Sequence, residues 1–198
     1  MLYGLGKLIC SIIFKPLFLI KVIGAENVPK KGPVIICSNH ISNLDPPVVG
    51  ITCPRQIHFM AKDELFQKKA IGWLLRNIQA FPVKRGMKDR QALRDGLDVL
   101  KNNHTLGLFP EGTRSTTGEL KQGLAGAGFF ALRSNAVVIP CAVIGEYKAF
   151  KRVKVVYGKP VNLEQLREEK ASAQEVVDQI MADIKKLIDS HKANVTKA

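Results

Sequence analysis

Short apolar runs that alternate with stretches of helical spacing constrain this chain more than any other feature. Residues 34–37, 57–60, 78–83, 105–109, 137–144 and 153–157 each read as a buried strand. Between them, residues 65–75, 89–100 and 123–134 read as helices, the last rich in small residues and able to pack closely. Near the end, Ser172-Ala173-Gln174-Glu175 forms a capping box ahead of an apolar stripe through Val177, Ile180, Met181, Ile184, Leu187 and Ile188. Strands in alternation with helices predict an α/β fold, a mostly parallel sheet flanked by helices on both faces. Ligands in such sheets gather beyond the carboxyl ends of the strands. Three of the predicted strands end in polar or charged clusters, at residues 38–45, 84–86 and 111–115, which places one site at that edge.

The first 23 residues need separate treatment. They are rich in Leu, Ile and Phe, but Lys7, Lys15 and Lys21 interrupt them and Pro16 breaks a continuous helix. The longest uninterrupted apolar run, residues 8–14, falls far short of the ~20 residues a bilayer span needs. No basic stretch precedes it and no A-x-A site follows, so a signal peptide is not expected. Two short helices broken near Pro16 and lying in a membrane interface, lysines toward the headgroups, fit this composition, with an ordinary core helix pair as the alternative. Residues 1–23 are thus expected to form an N-terminal membrane-association segment, and residues 24–198 the main domain.

The formal charge of +13 favours anionic partners. Nucleic acid is not expected, because the one Trp and three Tyr are scattered and no reading module is present. Four cysteines stand at Cys10, Cys37, Cys53 and Cys141 without metal-ligand spacing, and Cys37 and Cys141 lie in apolar runs. They read as buried free thiols in a reducing compartment.

The first cluster contains His40 and Asp45. Histidine is the usual general base near neutral pH, and a carboxylate on its other ring nitrogen fixes the tautomer. A spacing of five residues on a regular helix holds the two side chains well apart, so the pair needs a turn entering a helix. Asp45-Pro46-Pro47 reads as such a helix start, with Asp45 as cap. Taken alone, Asp45 also suits a plain cap and His40 a hydrogen-bonded turn. The second cluster places Lys84 and Arg85 at a strand end. In the third, the backbone around Gly112, the Thr113 hydroxyl and the Arg114 guanidinium suit a phosphate, with Glu111 fixing the arginine or touching a substrate hydroxyl.

Together the clusters resemble the glycerolipid acyltransferases. Asn39-His40-x-x-x-x-Asp45 matches their H-x4-D block, and Phe109 to Ser115 matches their F-P-E-G-T-R-S block. Phe81 to Gly86 resembles the second block, with Arg85 on its basic position and Lys84 where many members carry an acidic residue. Val138-Ile139-Pro140 resembles the fourth. The size, the N-terminal apolar segment and the F-P-E-G-T-R-S form look most like bacterial 1-acyl-sn-glycerol-3-phosphate acyltransferases. The resemblance implies acyl transfer from acyl-CoA or acyl carrier protein to the sn-2 hydroxyl of lysophosphatidic acid, giving phosphatidic acid. It implies His40 and Asp45 as catalytic residues, and Arg85, Glu111, Gly112, Thr113 and Arg114 as substrate-binding ones. It implies no cofactor and no metal, and a peripheral or monotopic place on the cytoplasmic face of the cell membrane. A relative acting on another lysolipid is the alternative; a non-catalytic lipid carrier on the same fold is disfavoured by the presence of His40 and Asp45.

Overall fold

The computed structural model describes residues 2–84 and 89–192. Its centre is a sheet of seven strands: β1 (Lys21–Ile23), β2 (Val34–Ser38), β3 (Ile57–Lys62), β4 (Phe81–Val83), β5 (Thr105–Leu108), β6 (Val137–Ile144) and β7 (Lys154–Tyr157). The spatial order is β1-β7-β6-β2-β5-β3-β4. Strands β6, β2, β5, β3 and β4 run parallel, while β7 pairs antiparallel with β6 and parallel with β1. The expected α/β architecture, a mostly parallel sheet between helices, is therefore what the chain forms.

Helices α1 (Leu2–Leu17) and α2 (Asp45–Thr52) cover one face, where Phe18, Val48 and Val49 pack on Ile36, Ile139 and Tyr157. Helices α5 (Arg90–Lys101), α6 (Gly126–Arg133) and α8 (Ala173–Lys192) cover the other, with Leu100, Phe130, Val177, Ile180 and Ile184 buried on Ile35 and Leu106. The capping box of α8 forms as read: Ser172 N–H donates to Glu175 Oε2 at 2.7 Å, and Glu175 N–H donates to Ser172 Oγ at 3.3 Å. The described residues also form the short helices α3 (Asp63–Phe66), α4 (Lys69–Asn77) and α7 (Glu164–Glu168) and a 3-10 turn over Ala25–Asn27.

Several element boundaries differ from the sequence reading. The N-terminal segment holds one helix, not two. Pro16 lies in the last turn of α1, where its ring costs a single backbone hydrogen bond. The helix then closes in a Schellman turn: Leu19 takes φ 40°, Ile20 N–H donates to Lys15 O, and Leu19 N–H donates to Pro16 O. Residues 21–23 go on to form β1, so the segment expected to end at residue 23 ends inside the sheet. Lys7 does not face outward. Its ammonium donates to the Cys53 carbonyl at the end of α2, where a cation meets the negative end of the helix dipole. The strand expected over 78–83 starts only at Phe81, because Ile78 and Gln79 finish α4 in a second Schellman turn, with Gln79 at φ 66°. The single helix expected over 65–75 is split into α3 and α4, with Gly72 packed so tightly on the Phe66 carbonyl that a Cβ would sit 2.4 Å from its oxygen.

A similar close approach fixes α6 to α8. A Cβ on Gly128 would lie 1.9 Å from the Ala173 carbonyl oxygen, a backbone atom that side-chain rotation does not relieve. Gly128→Ala is therefore expected to lower the unfolding free energy by about 1–3 kcal/mol, despite alanine's better helix propensity. A urea midpoint at or above that of the parent protein contradicts this packing.

Candidate active site

The carboxyl ends of β2 and β5 lie side by side, so the loops that follow them meet. Strand β2 stops at Ser38, but the Asn39 side chain carries its pairing one step further. Asn39 Nδ2 donates to Val143 O at 2.9 Å, and Val143 N–H donates to Asn39 Oδ1 at 2.7 Å. The amide thus stands in for a strand peptide, and the main chain is released to turn at His40. The turn is tied at both of His40's own backbone groups. Its N–H donates to Glu111 Oε1 at 2.7 Å, and its carbonyl accepts from Ser115 N–H at 2.8 Å.

Asp45 closes the turn. It is the first residue of α2, with Leu44 in the cap position, so the expected Asp cap is corrected. Pro46 and Pro47 explain the difference. Neither has an N–H, so the first turn of α2 presents fewer donors in need of a cap. The carboxylate points back along the chain instead. Its Oδ2 accepts from Ile41 N–H and Ser42 N–H, each at 2.7 Å, and from His40 Nδ1 at 2.8 Å. Its Oδ1 accepts from the Tyr147 hydroxyl at 2.8 Å. Asp45 has no exposed surface, and each of its four hydrogen-bond partners is a donor. Because the carboxylate accepts throughout, the neutral imidazole carries its hydrogen on Nδ1 and keeps a lone pair on Nε2. Nε2 has no partner among the described residues. Burial, then the adjacent carboxylate, pushes the Tyr147 hydroxyl well above the ordinary tyrosine range, so it stays a donor.

An aromatic stack sets the plane of the ring. Phe109 lies on the imidazole at a centroid distance of 4.2 Å, and Phe59 lies on Phe109 at 5.8 Å. Tyr147, Asn39 and this stack were not picked out as site residues from sequence. Tyr147 lies beyond β6, more than a hundred positions from Asp45, and no local pattern marks it.

The third cluster divides in two. Glu111 is buried, and both its oxygens accept backbone N–H groups, from His40 at Oε1 and from Lys121 at Oε2 (3.1 Å). It does not pair with Arg114; it ties the loop after β5 to the turn after β2. Gly112 takes φ 67° in a tight turn whose N–H returns to Phe109 O at 3.0 Å. Thr113 and Arg114 are exposed, and the Arg114 guanidinium has no partner among the described residues. Ser115, next along, is the residue bonded to His40, so Arg114 stands at the rim of the histidine turn. The second cluster is only partly visible. Lys84 N–H donates to Asp89 Oδ2 at 2.9 Å, while Arg85 lies outside the described residues.

A family model described as Acyltransferase matches residues 19–144, a span that contains both loops. The chain belongs to the Acyltransferase family. It is 35% identical over 150 residues to the 1-acyl-sn-glycerol-3-phosphate acyltransferase of Bacillus subtilis (strain 168), covering 72% of this chain and 74% of that one. The enzyme of the same name from Saccharomyces cerevisiae is 31% identical over 195 residues, covering 89% of this chain and 63% of that one. A chloroplastic relative from Arabidopsis thaliana is 29% identical over 171 residues, and the chain spans about half of its length, 48%. Among solved structures, the fold is similar to that of the 1-acyl-sn-glycerophosphate acyltransferase from Thermotoga maritima. The TM-score is 0.75 at 24% identity, covering 97% of this chain and 79% of that one.

The role of Glu111 as a tie between loops is open to a direct check. In Glu111→Gln the amide accepts one of the two N–H groups and turns its own donor toward the other. Stability is expected to fall by about 1–3 kcal/mol. An unchanged denaturation midpoint removes Glu111 from that role.

Proposed function

We propose that the protein transfers a fatty acyl group from acyl-CoA or acyl carrier protein to the sn-2 hydroxyl of lysophosphatidic acid, giving phosphatidic acid. The observation that carries this reading is the 2.8 Å contact from His40 Nδ1 to Asp45, which leaves Nε2 as an available base in the turn to which Ser115, the neighbour of Arg114, is bonded. The relatives named above carry the same acceptor in their names.

The chemistry is direct transfer. His40 Nε2 takes the proton of the acceptor hydroxyl as that oxygen attacks the thioester carbonyl. Asp45 stabilises the imidazolium that forms, and Tyr147 and two backbone amides hold the carboxylate still. Collapse of the tetrahedral intermediate breaks the carbon–sulfur bond, and the imidazolium returns its proton to the leaving thiolate. Cysteine is not the nucleophile in this scheme. Burial pushes the Cys37 thiol up to about 12, and likewise raises Cys53 and Cys141, so none supplies a thiolate near neutral pH. Arg114 receives the acceptor phosphate, assisted by Thr113 and by the backbone at Gly112, with Arg85 as a second cation. Glu111 acts by holding the histidine turn.

The site works at a membrane surface, on the cytoplasmic face, with α1 as the main attachment. Among the described residues, no helix is long and apolar enough to cross a membrane. On α1, Leu5, Leu8, Ile9, Ile12 and Ile13 are exposed along one face, which suits a helix lying in the interface.

Radiolabelled acyl transfer to a panel of lysolipids, with each thioester donor, tests the assignment. Lysophosphatidic acid is expected to be the preferred acceptor; transfer confined to another lysolipid overturns it. His40→Ala is expected to keep the fold and slow the chemical step by at least roughly 10²-fold. Wild-type turnover in that variant removes the base. Arg114→Ala is expected to raise the acceptor KM roughly tenfold or more and leave the donor KM unchanged. The reverse pattern moves Arg114 to the thioester.

A further inference from the structure

Helix α4 is built inside out for a helix in water. Its inward position is Gly72, pressed on the Phe66 carbonyl. Ala70 and Leu74 lie two residues to either side, roughly 200° around the helix, and so point away from the protein. Leu74 is 52% exposed, and Trp73, on the adjoining flank, is 58% exposed. Ile71 at the helix start and Leu65 on α3 are exposed as well. The outward face of α4 is thus apolar, whereas a surface helix of a water-soluble domain turns its polar side outward. The helix carries no acidic residue; Lys69 is exposed at its start, and the Arg76 guanidinium lies over the Phe66 ring, 5.5 Å from its centroid. Helix α3 carries two acidic residues, Asp63 and Glu64, and Glu64 is paired with Lys62 at 3.4 Å.

This face is not isolated. A Cβ on Gly6 of α1 would lie 4.0 Å from Ile78 Cγ2, at the end of α4. The first half of α1 and the end of α4 therefore approach each other. Helix α3 in turn begins directly where β3 ends, at the edge of the sheet that also carries the His40 and Glu111 loops.

We infer that α4 is a second membrane contact, which inserts Trp73 and Leu74 into the interface of an anionic lipid surface while the exposed Lys68 and Lys69 at its start meet the headgroups. This rests on the proposal that the protein works at a membrane. A single interfacial helix tethers a domain but leaves it free to turn about the tether. Two contacts fix which side of the domain faces the lipid, and α4 lies along that side between the carboxyl end of β3 and the start of β4. An exposed aromatic ring on a helix that begins with exposed lysines matches the composition that favours the headgroup level. The charge of +13 opposes a second copy of this chain as the occupant.

Trp73 is the single tryptophan of the chain, so its fluorescence reports on this helix alone. Full-length protein is mixed with vesicles of phosphatidylcholine and phosphatidylglycerol, and binding is followed by co-sedimentation. In the bound fraction, the tryptophan emission is expected to move to shorter wavelength and to be quenched by brominated acyl chains. A Trp73→Ser/Leu74→Ser double variant is expected to bind these vesicles roughly tenfold more weakly with its unfolding midpoint unchanged. Parent protein that sediments with vesicles while its emission stays at the value in buffer overturns the role of α4 and leaves the membrane proposal standing. Protein that does not sediment with vesicles at all overturns both. A blue shift that grows with protein concentration in the absence of lipid assigns the face to a second copy and overturns the inference.

Discussion

The candidate site depends on one buried carboxylate. Asp45 has no exposed surface, and it accepts hydrogen bonds from two backbone amides, one imidazole and one phenol. A charge taken out of water is tolerable only when its oxygens are met in this way. The arrangement is reciprocal. The amides of Ile41 and Ser42 give the turn its shape by reaching the carboxylate, and the carboxylate gains a fixed place from which to orient the ring. The pyrrolidine rings of Pro46 and Pro47 belong to the same solution. By removing two donors from the start of α2, they leave the acid without a helix to cap.

The fold was legible where burial and spacing speak locally. Strands β2 and β6 have cores of Val and Ile, and α8 announces itself by a capping box and a continuous stripe. Helix ends were harder. Four of them, at Leu19, Gln79, Asn103 and Lys170, close with a non-glycine residue at positive φ and the paired backbone bonds of a Schellman turn. Glycine is the usual signal for that conformation, so without it the chain gives no warning that a helix stops. The strand expected from Ile78 starts late for this reason, and the second helix expected beyond Pro16 does not form, because the chain turns at Leu19 into β1. Strand β1 escaped notice because three residues, none of them fully buried, show no pattern of their own.

The site shows the same division. His40 and Asp45 are five residues apart, and their pairing could be reasoned from a loop entering a helix. Tyr147 and Asn39 act across the sheet, at separations of about a hundred residues, where only the strand order brings partners together. Glu111 was recognised as part of a motif, yet its contacts were not legible. A carboxylate beside an arginine in sequence suggests an ion pair, and the structure spends both oxygens on main-chain amides instead. That choice leaves the arginine uncommitted at the rim.

The ties at His40 have a consequence for the ring itself. Its amide is held by Glu111 and its carbonyl by Ser115, while the amides of the next two residues are held by Asp45. None of these bonds involves the imidazole. The peptide unit is a mount, and the heterocycle is a component fitted into it. Taking the component away leaves a slot with Phe109 as one wall and the carboxylate at its back, shaped for a flat five-membered ring and already wired to accept its N–H.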